Sequence, residues 1–305
     1  MRVLISLFCL IAGCSLNDPF PKFNTPYSDE GFDECLAQNP TLSRSECNIQ
    51  NCLSGLDTLH GMSRLLKDIA PILEDMKLTY WLDGASVYGG IRFNAFVPWD
   101  DDVDVGVIAS EFEHRTEELR SKLAALGYQL IPFYNSTGTA FRGLFGGQPD
   151  FWQVIMTKPV LDRIQLELDP SLSAEFLERS YFRYLSADLP PHLDIFVFDD
   201  LRDSLFMRVP GLKFPKNVIL GPNGNETGHV TILDTSYSIP YNADQYASIL
   251  LGKSISIKDD VVVKKEHASS ACSNRIKFHN FSTSTTRQYL CSFLEFAFPS
   301  QGACP

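Results

Sequence analysis

Residues 97–107 read Val-Pro-Trp-Asp-Asp-Asp-Val-Asp-Val-Gly-Val, four carboxylates in five positions among residues that prefer burial. Val103, Val105 and Val107 recur at period two, the signature of a strand with one covered face. Successive strand side chains point to opposite faces, so Asp100, Asp102 and Asp104 are expected on one face and the valines on the other. Neighbours on one face lie about 6–7 Å apart, close enough to share one or two cations. Asp101 points the other way and is left out of the chemistry. Like charges beside apolar side chains repel and lose solvation unless something positive sits among them. Hard oxygen donors suit Mg²⁺ or Mn²⁺ better than zinc. A solvated acidic loop is disfavoured by the valine alternation. An EF-hand fits Asp100, Asp102, Asp104 and Glu111, but its turn needs Gly where Val105 stands.

The 305-residue chain carries a formal net charge of −11. That argues against a nucleic-acid polymer as partner, since phosphate backbones call for a basic surface. A nucleotide remains compatible if a metal bridges its phosphates to the acidic cluster. Residues 1–15, MRVLISLFCLIAGCS, read as a secretory signal: one Arg, then an apolar run too short to span a bilayer comfortably. No later apolar run has spanning length, so no transmembrane segment is expected after cleavage. Leu10 to Cys14 resembles a bacterial lipoprotein box, whereas three N-glycosylation sequons, at Asn135, Asn225 and Asn280, suit a eukaryotic lumen (Golgi or ER) or the exterior. Beyond Cys9 and Cys14, six cysteines remain: Cys35, Cys47 and Cys52 before the central region, Cys272, Cys291 and Cys304 after it. In a secreted chain these read as disulfides. If all six are oxidised, at least one bridge must join the two flanks. No CxxC pair supports zinc.

Residues 16–52 read as a Cys-bearing lead-in, 53–258 as the folded domain and 259–305 as a Cys-bearing tail. Leu53 to Ile69 has the three-and-four spacing of an amphipathic helix, which Pro71 is expected to end or kink. Leu78–Leu82 reads as a strand and Asp83–Ser86 as a turn. Ser110-Glu-Phe-Glu113 reads as a capping box opening a helix with apolar face Phe112, Leu119, Leu123 and Leu126, stopped by Gly127. Strands are expected at 128–133, 151–156, 163–168 and 192–198, Pro/Gly-rich turns at 209–225 and a helix at 243–251. Without a regular βαβ rhythm, the expected class is α/β (α+β), a mixed sheet with flanking helices.

The small-residue turn at Gly84–Ser86 offers backbone N–H groups and a hydroxyl that could cradle a phosphate. It nearly matches a serine-hydrolase elbow, but Tyr88 replaces the closing Gly. Asp194 alone would read as a satisfied core or strand-end group. Taken together, Leu82-Asp-Gly-Ala-Ser-Val-Tyr-Gly-Gly-Ile-Arg92 and Phe96-Val-Pro-Trp-Asp-Asp-Asp-Val-Asp-Val105 resemble the signature of the LicD family, which includes bacterial phosphocholine transferases and animal fukutin and fukutin-related proteins. His192-Leu-Asp-Ile-Phe196 and the segment Ser238–Tyr246 resemble its later motifs. Ala85, Tyr88 and Asn94 depart from the family pattern.

The resemblance implies a nucleotidyltransferase-type fold and transfer of a phosphorylated alcohol, phosphocholine or an alditol phosphate, from a CDP-linked donor to a glycan or glycoprotein hydroxyl. It implies metal binding by Asp102, Asp104 and Asp194, with Asp100 as a third ligand or as base. Gly84 and Ser86 would hold the donor diphosphate, and Arg92 would meet its charge. A secreted binding protein that keeps the fold without turnover is the alternative. The retention of all four carboxylates, Asp100, Asp102, Asp104 and Asp194, weighs against it.

Overall fold

The valine alternation becomes the centre of a sheet in the computed structural model, which describes residues 56–97, 100, 102–133, 149–168, 170–178 and 191–251. Strand β2 (Asp102–Ile108) buries Val103, Val105 and Val107 and leaves Asp102 and Asp104 half-buried on the other face. It pairs antiparallel with β1 (Tyr80–Leu82) and parallel with β5 (His192–Leu201). The other edge of β5 takes β4 (Phe151–Met156), which carries β3 (Tyr128–Phe133) beyond it, both antiparallel. Phe198 pairs with Ile108 on one side and Met207 on the other, so β6 (Ser204–Met207) follows β4 along the same edge of β5. β7 (Leu212–Pro215) completes the seven-stranded mixed sheet. A separate hairpin, β8 (Gly228–Ile232) with β9 (Thr235–Ile239), had no counterpart in the sequence reading.

Two apolar clusters flank the sheet. The larger packs helix α1 (Leu56–Asp75) onto the valine face through Leu59, Met62, Leu65, Leu66 and Ile69. Pro71 does not end this helix. It sits on the exposed side, and buried Leu73 and Met76 hold the chain down just after it. The smaller cluster gathers Trp81, Phe198, Leu205, Phe214 and Tyr246. Tyr246 comes from helix α7 (Ala243–Leu251), which matches the expected bounds.

Other expectations need correction. Asp83–Ser86 is not a free turn: Gly84 opens helix α2 (Gly84–Phe93), capped by the Asp83 carboxylate. Asn94 ends that helix in the left-handed region at φ 53°, a conformation Asn tolerates better than a Lys or Arg would. The proposed capping box does not form. Helix α3 (Ala109–Phe112) is capped by Ile108 with no side-chain bond, because Glu113 is drawn instead to Arg208 at 2.7 Å. A 3₁₀ turn (Glu113–Arg115) then leads into α4 (Thr116–Leu126), which Gly127 stops at φ 88° as anticipated. Leu126 is exposed rather than on the apolar face. Residues 163–168 are not a strand. They end helix α5 (Lys158–Leu168), whose buried Val160, Leu161 and Ile164 have helical spacing, while Leu166 is exposed. The 209–225 segment holds β7 and a short helix, α6 (Lys216–Leu220), as well as turns. All eight cysteines, with Asn135 and Asn280, lie outside the described residues; Asn225 is exposed between α6 and β8.

Candidate metal centre

Register builds the site. The parallel pairing of β2 with β5 sets Asp102 beside His192 and Asp104 beside Asp194. Each pair points away from the valine face, because Val103, Leu193, Val105 and Ile195 occupy the alternate positions in the core. One atom from each of Asp102, His192 and Asp194 lies within 4.8 Å of the others. The buried His192 Nε2 is 3.7 Å from Asp102 Oδ2 and 3.6 Å from Asp194 Oδ1. Across the next strand pair, Gln153 stands opposite Asp194 and donates from Nε2 to Asp194 Oδ1 at 3.1 Å, which orients the carboxylate.

Asp100 precedes the strand instead of sharing its face. Its N–H donates to Val97 O at 3.0 Å in a turn, and the ladder starts only at Asp102. Its charge still acts on Asp104. Burial pushes the Asp104 carboxyl well above the ordinary range, and Asp102, Asp100, Asp194 and Asp83 push it further. After burial, the leading influences on Asp104 are therefore four like charges, an arrangement that a divalent cation would relieve.

The loop and helix beside β2 are shaped around this carboxylate. Gly84 sits at φ +50°, and a Cβ there would run into Asp104 Oδ2. Ser86 is buried, and its Oγ accepts from Asp104 N at 3.0 Å. Asp83 is wholly buried; its Oδ1 accepts from Gly84 N at 2.6 Å and from the Tyr246 hydroxyl. Asp83 Oδ2 has no hydrogen-bond partner among the described residues. Burial lifts the Asp83 carboxyl to about 6 against those two stabilising bonds. Further along the same face, a Cβ on Gly106 would meet the Trp81 ring, so this glycine lets the indole lie across β2.

Among the sequence-derived candidates, Asp102 and Asp194 therefore join one donor cluster, and Asp104 and Asp100 lie beside it. Gly84 and Ser86 pack against Asp104. The Arg92 side chain and Asp101 lie outside the described residues. Sequence reasoning passed over His192, Asp83, Gln153 and Tyr246 as site residues. His192 was within reach, since it stands two positions before Asp194 in a predicted strand and so shares its face.

Residues 77–145 match the nucleotidyltransferase domain family described as LicD/FKTN/FKRP. Over those residues the chain resembles the LicD family. Over 62 residues it is 36% identical to the lipopolysaccharide cholinephosphotransferase LicD of Haemophilus influenzae, covering 20% of each chain. Over 62 residues it is 32% identical to the human ribitol 5-phosphate transferase FKRP, covering 20% of this chain and 12% of that one. An uncharacterised Rickettsia typhi protein is 28% identical over 70 residues, 23% of this chain and 22% of its own. The match thus spans about a quarter or less of these relatives. The lincomycin-bound lincosamide antibiotic adenylyltransferase LnuA aligns over 72% of this chain and 96% of its own, at 16% identity and a TM-score of 0.35, too low to bear on the fold. The LicD-family match holds Asp83, Gly84, Ser86, Asp100, Asp102 and Asp104, whereas Gln153, His192, Asp194 and Tyr246 lie beyond it. Among the described residues no helix is long and apolar enough to cross a membrane.

Proposed function

We propose that this protein is a metal-dependent transferase that moves a phosphorylated alcohol, phosphocholine or an alditol phosphate, from a CDP-linked donor to a glycan hydroxyl in the secretory pathway. The observation that carries the reading is the in-register meeting of Asp102 and Asp104 with His192 and Asp194, on the strand that bears the LicD-family motif. The donor set fits a divalent cation: two carboxylates and an imidazole converge, and further carboxylates press on the same spot. When bound, such an ion neutralises charge on the donor phosphates and on the leaving group.

The remaining work falls to the chain itself. Asp102, His192 and Asp194 would hold the cation, and Gln153 fixes the Asp194 carboxylate. Asp104, backed by Gly84 and Ser86, extends the acidic face toward the donor diphosphate. The α2 N-terminus is already capped by Asp83. We therefore assign Gly84 and Ser86 to positioning Asp104 as much as to holding phosphate. Arg92 is assigned to the donor's charge on the motif resemblance. Asp100 lies beside the cluster but outside the triad, and we assign it the acceptor proton. As the acceptor oxygen bonds to phosphorus, that proton passes to Asp100, the bond from phosphorus to the bridging oxygen breaks, and CMP departs.

A panel of CDP-choline, CDP-ribitol and CDP-glycerol, each with glycan acceptors, tests the reading. Divalent-metal-dependent CMP release coupled to acceptor modification is expected with one of them. The absence of release across the panel and several acceptor glycans, from protein shown to bind metal, would overturn it.

A further inference from the structure

We infer that His192 is a metal ligand and that it makes this centre select Mn²⁺ over Mg²⁺. The inference deepens the metal-dependent reading above and rests on its cation. Asp102 and Asp194 alone would offer hard oxygen donors suited to either ion. His192 adds a nitrogen donor that is only 3% exposed, delivered from the same strand as Asp194 and directly beside Asp102.

Its geometry is that of a ligand more than of an ion-pair partner. An imidazolium paired with carboxylate closes to about 2.7–2.9 Å on one oxygen. Here Nε2 stands nearly midway between two carboxylates, at 3.7 and 3.6 Å. Two ligands on one small divalent ion at about 2.1 Å each lie between about 3 and 4.2 Å apart, depending on the angle between them. Both distances fall in that interval. Burial fixes the ring, since His192 is the first residue of β5 and Leu193 behind it is in the core.

The consequence for ion choice is chemical. Mg²⁺ surrenders water reluctantly and prefers oxygen, so a buried imidazole adds little to its binding. Mn²⁺ accepts imidazole nitrogen together with carboxylate, and first-row affinities rise from there along the series. The full-length protein, with metal removed and then titrated at neutral pH, provides the test. Mn²⁺ binding is followed by the loss of the free-ion electron paramagnetic resonance signal, and Mg²⁺ binding by competition. Pulsed resonance of the bound Mn²⁺ should show ¹⁴N coupling from one imidazole. His192→Gln should weaken Mn²⁺ by about tenfold or more while changing Mg²⁺ by less than about threefold.

Bound Mn²⁺ without nitrogen coupling in the unaltered protein would overturn the assignment, whether or not the variant folds. Equal weakening of both ions in a folded His192→Gln protein would overturn the selectivity. CMP release separates the two readings. Nitrogen-coupled Mn²⁺ without turnover upholds the ligand and removes the transferase, and turnover without nitrogen coupling does the reverse.

Discussion

Replacing Asp83 with Asn should make the metal-free protein progressively more stable than its parent as pH rises. The Asp83 side chain is wholly buried, and its carboxyl is lifted from 3.8 to about 6. A native carboxyl that holds its proton more tightly than the unfolded chain favours the folded state at low pH. That advantage is lost as pH rises through the interval from 3.8 to about 6 and stays lost above it. A lift of this size corresponds to about 3 kcal/mol in all, of which about 2 falls between roughly pH 4.5 and 7. Asn keeps an acceptor for the Gly84 N–H and the Tyr246 hydroxyl. Its amide nitrogen replaces Oδ2, which has no partner among the described residues, so a pH-independent penalty of about 1–3 kcal/mol is expected alongside. The diagnostic quantity is therefore the slope. Urea denaturation of both proteins with chelator present, at several pH values across this window, should show the stability difference moving in the variant's favour by about 2 kcal/mol. A difference that is flat with pH, or that moves toward the parent, would refute the claim that Asp83 is a charge held at a cost.

Three further substitutions address the chemistry. Asp102→Asn and Asp194→Asn should each lower turnover by about a hundredfold or more, as expected when a metal ligand is lost, while urea midpoints hold or rise because like-charge repulsion is relieved. Near-normal turnover in both would remove them from the site. Gly84→Ala should cost about 1–2 kcal/mol for an L side chain in the left-handed region and should also drive the Asp104 carboxylate aside, with about a hundredfold loss of rate. Full turnover with only the stability cost would show that the contact with Asp104 is incidental.

The parts of the fold legible in the sequence were those where periodicity and burial agree. Val103, Val105 and Val107 announced β2, and the Phe112, Leu119 and Leu123 positions with Gly127 announced the end of α4. Where a local signal competed with a tertiary one, the tertiary one prevailed. Ser110 to Glu113 has the letters of a capping box, yet Glu113 is held by Arg208, which arrives from the far end of β6. Ile164, Leu166 and Leu168 alternate like a strand, yet the burial of Val160, Leu161 and Ile164 selects the helical period. Asp102 and Asp104 stood out as carboxylates in a valine run, whereas Asp194 became a candidate only through the family resemblance. Gln153 and Tyr246 carry no such mark, because their roles arise only from the pairing of β4 with β5 and the docking of α7 onto Asp83.

The pairing of Asp104 with Asp194 joins residues ninety positions apart along the chain. At a synthesis rate of about 5–20 residues per second, the acidic strand leaves the ribosome about 5–18 s before the strand that completes it. During that interval β1 and β2 can form their antiparallel pair, but the cluster lacks both donors of β5, His192 and Asp194. The four neighbouring carboxylates can stay solvated while the nascent chain is still incomplete. A divalent ion met at this stage would find ligands with no buried histidine and no companion strand, and would exchange freely with the solvent. On the metal-dependent reading proposed above, loading would be tied to the docking of β5, and a chain truncated before His192 would leave the ribosome with an acidic strand and no assembled centre.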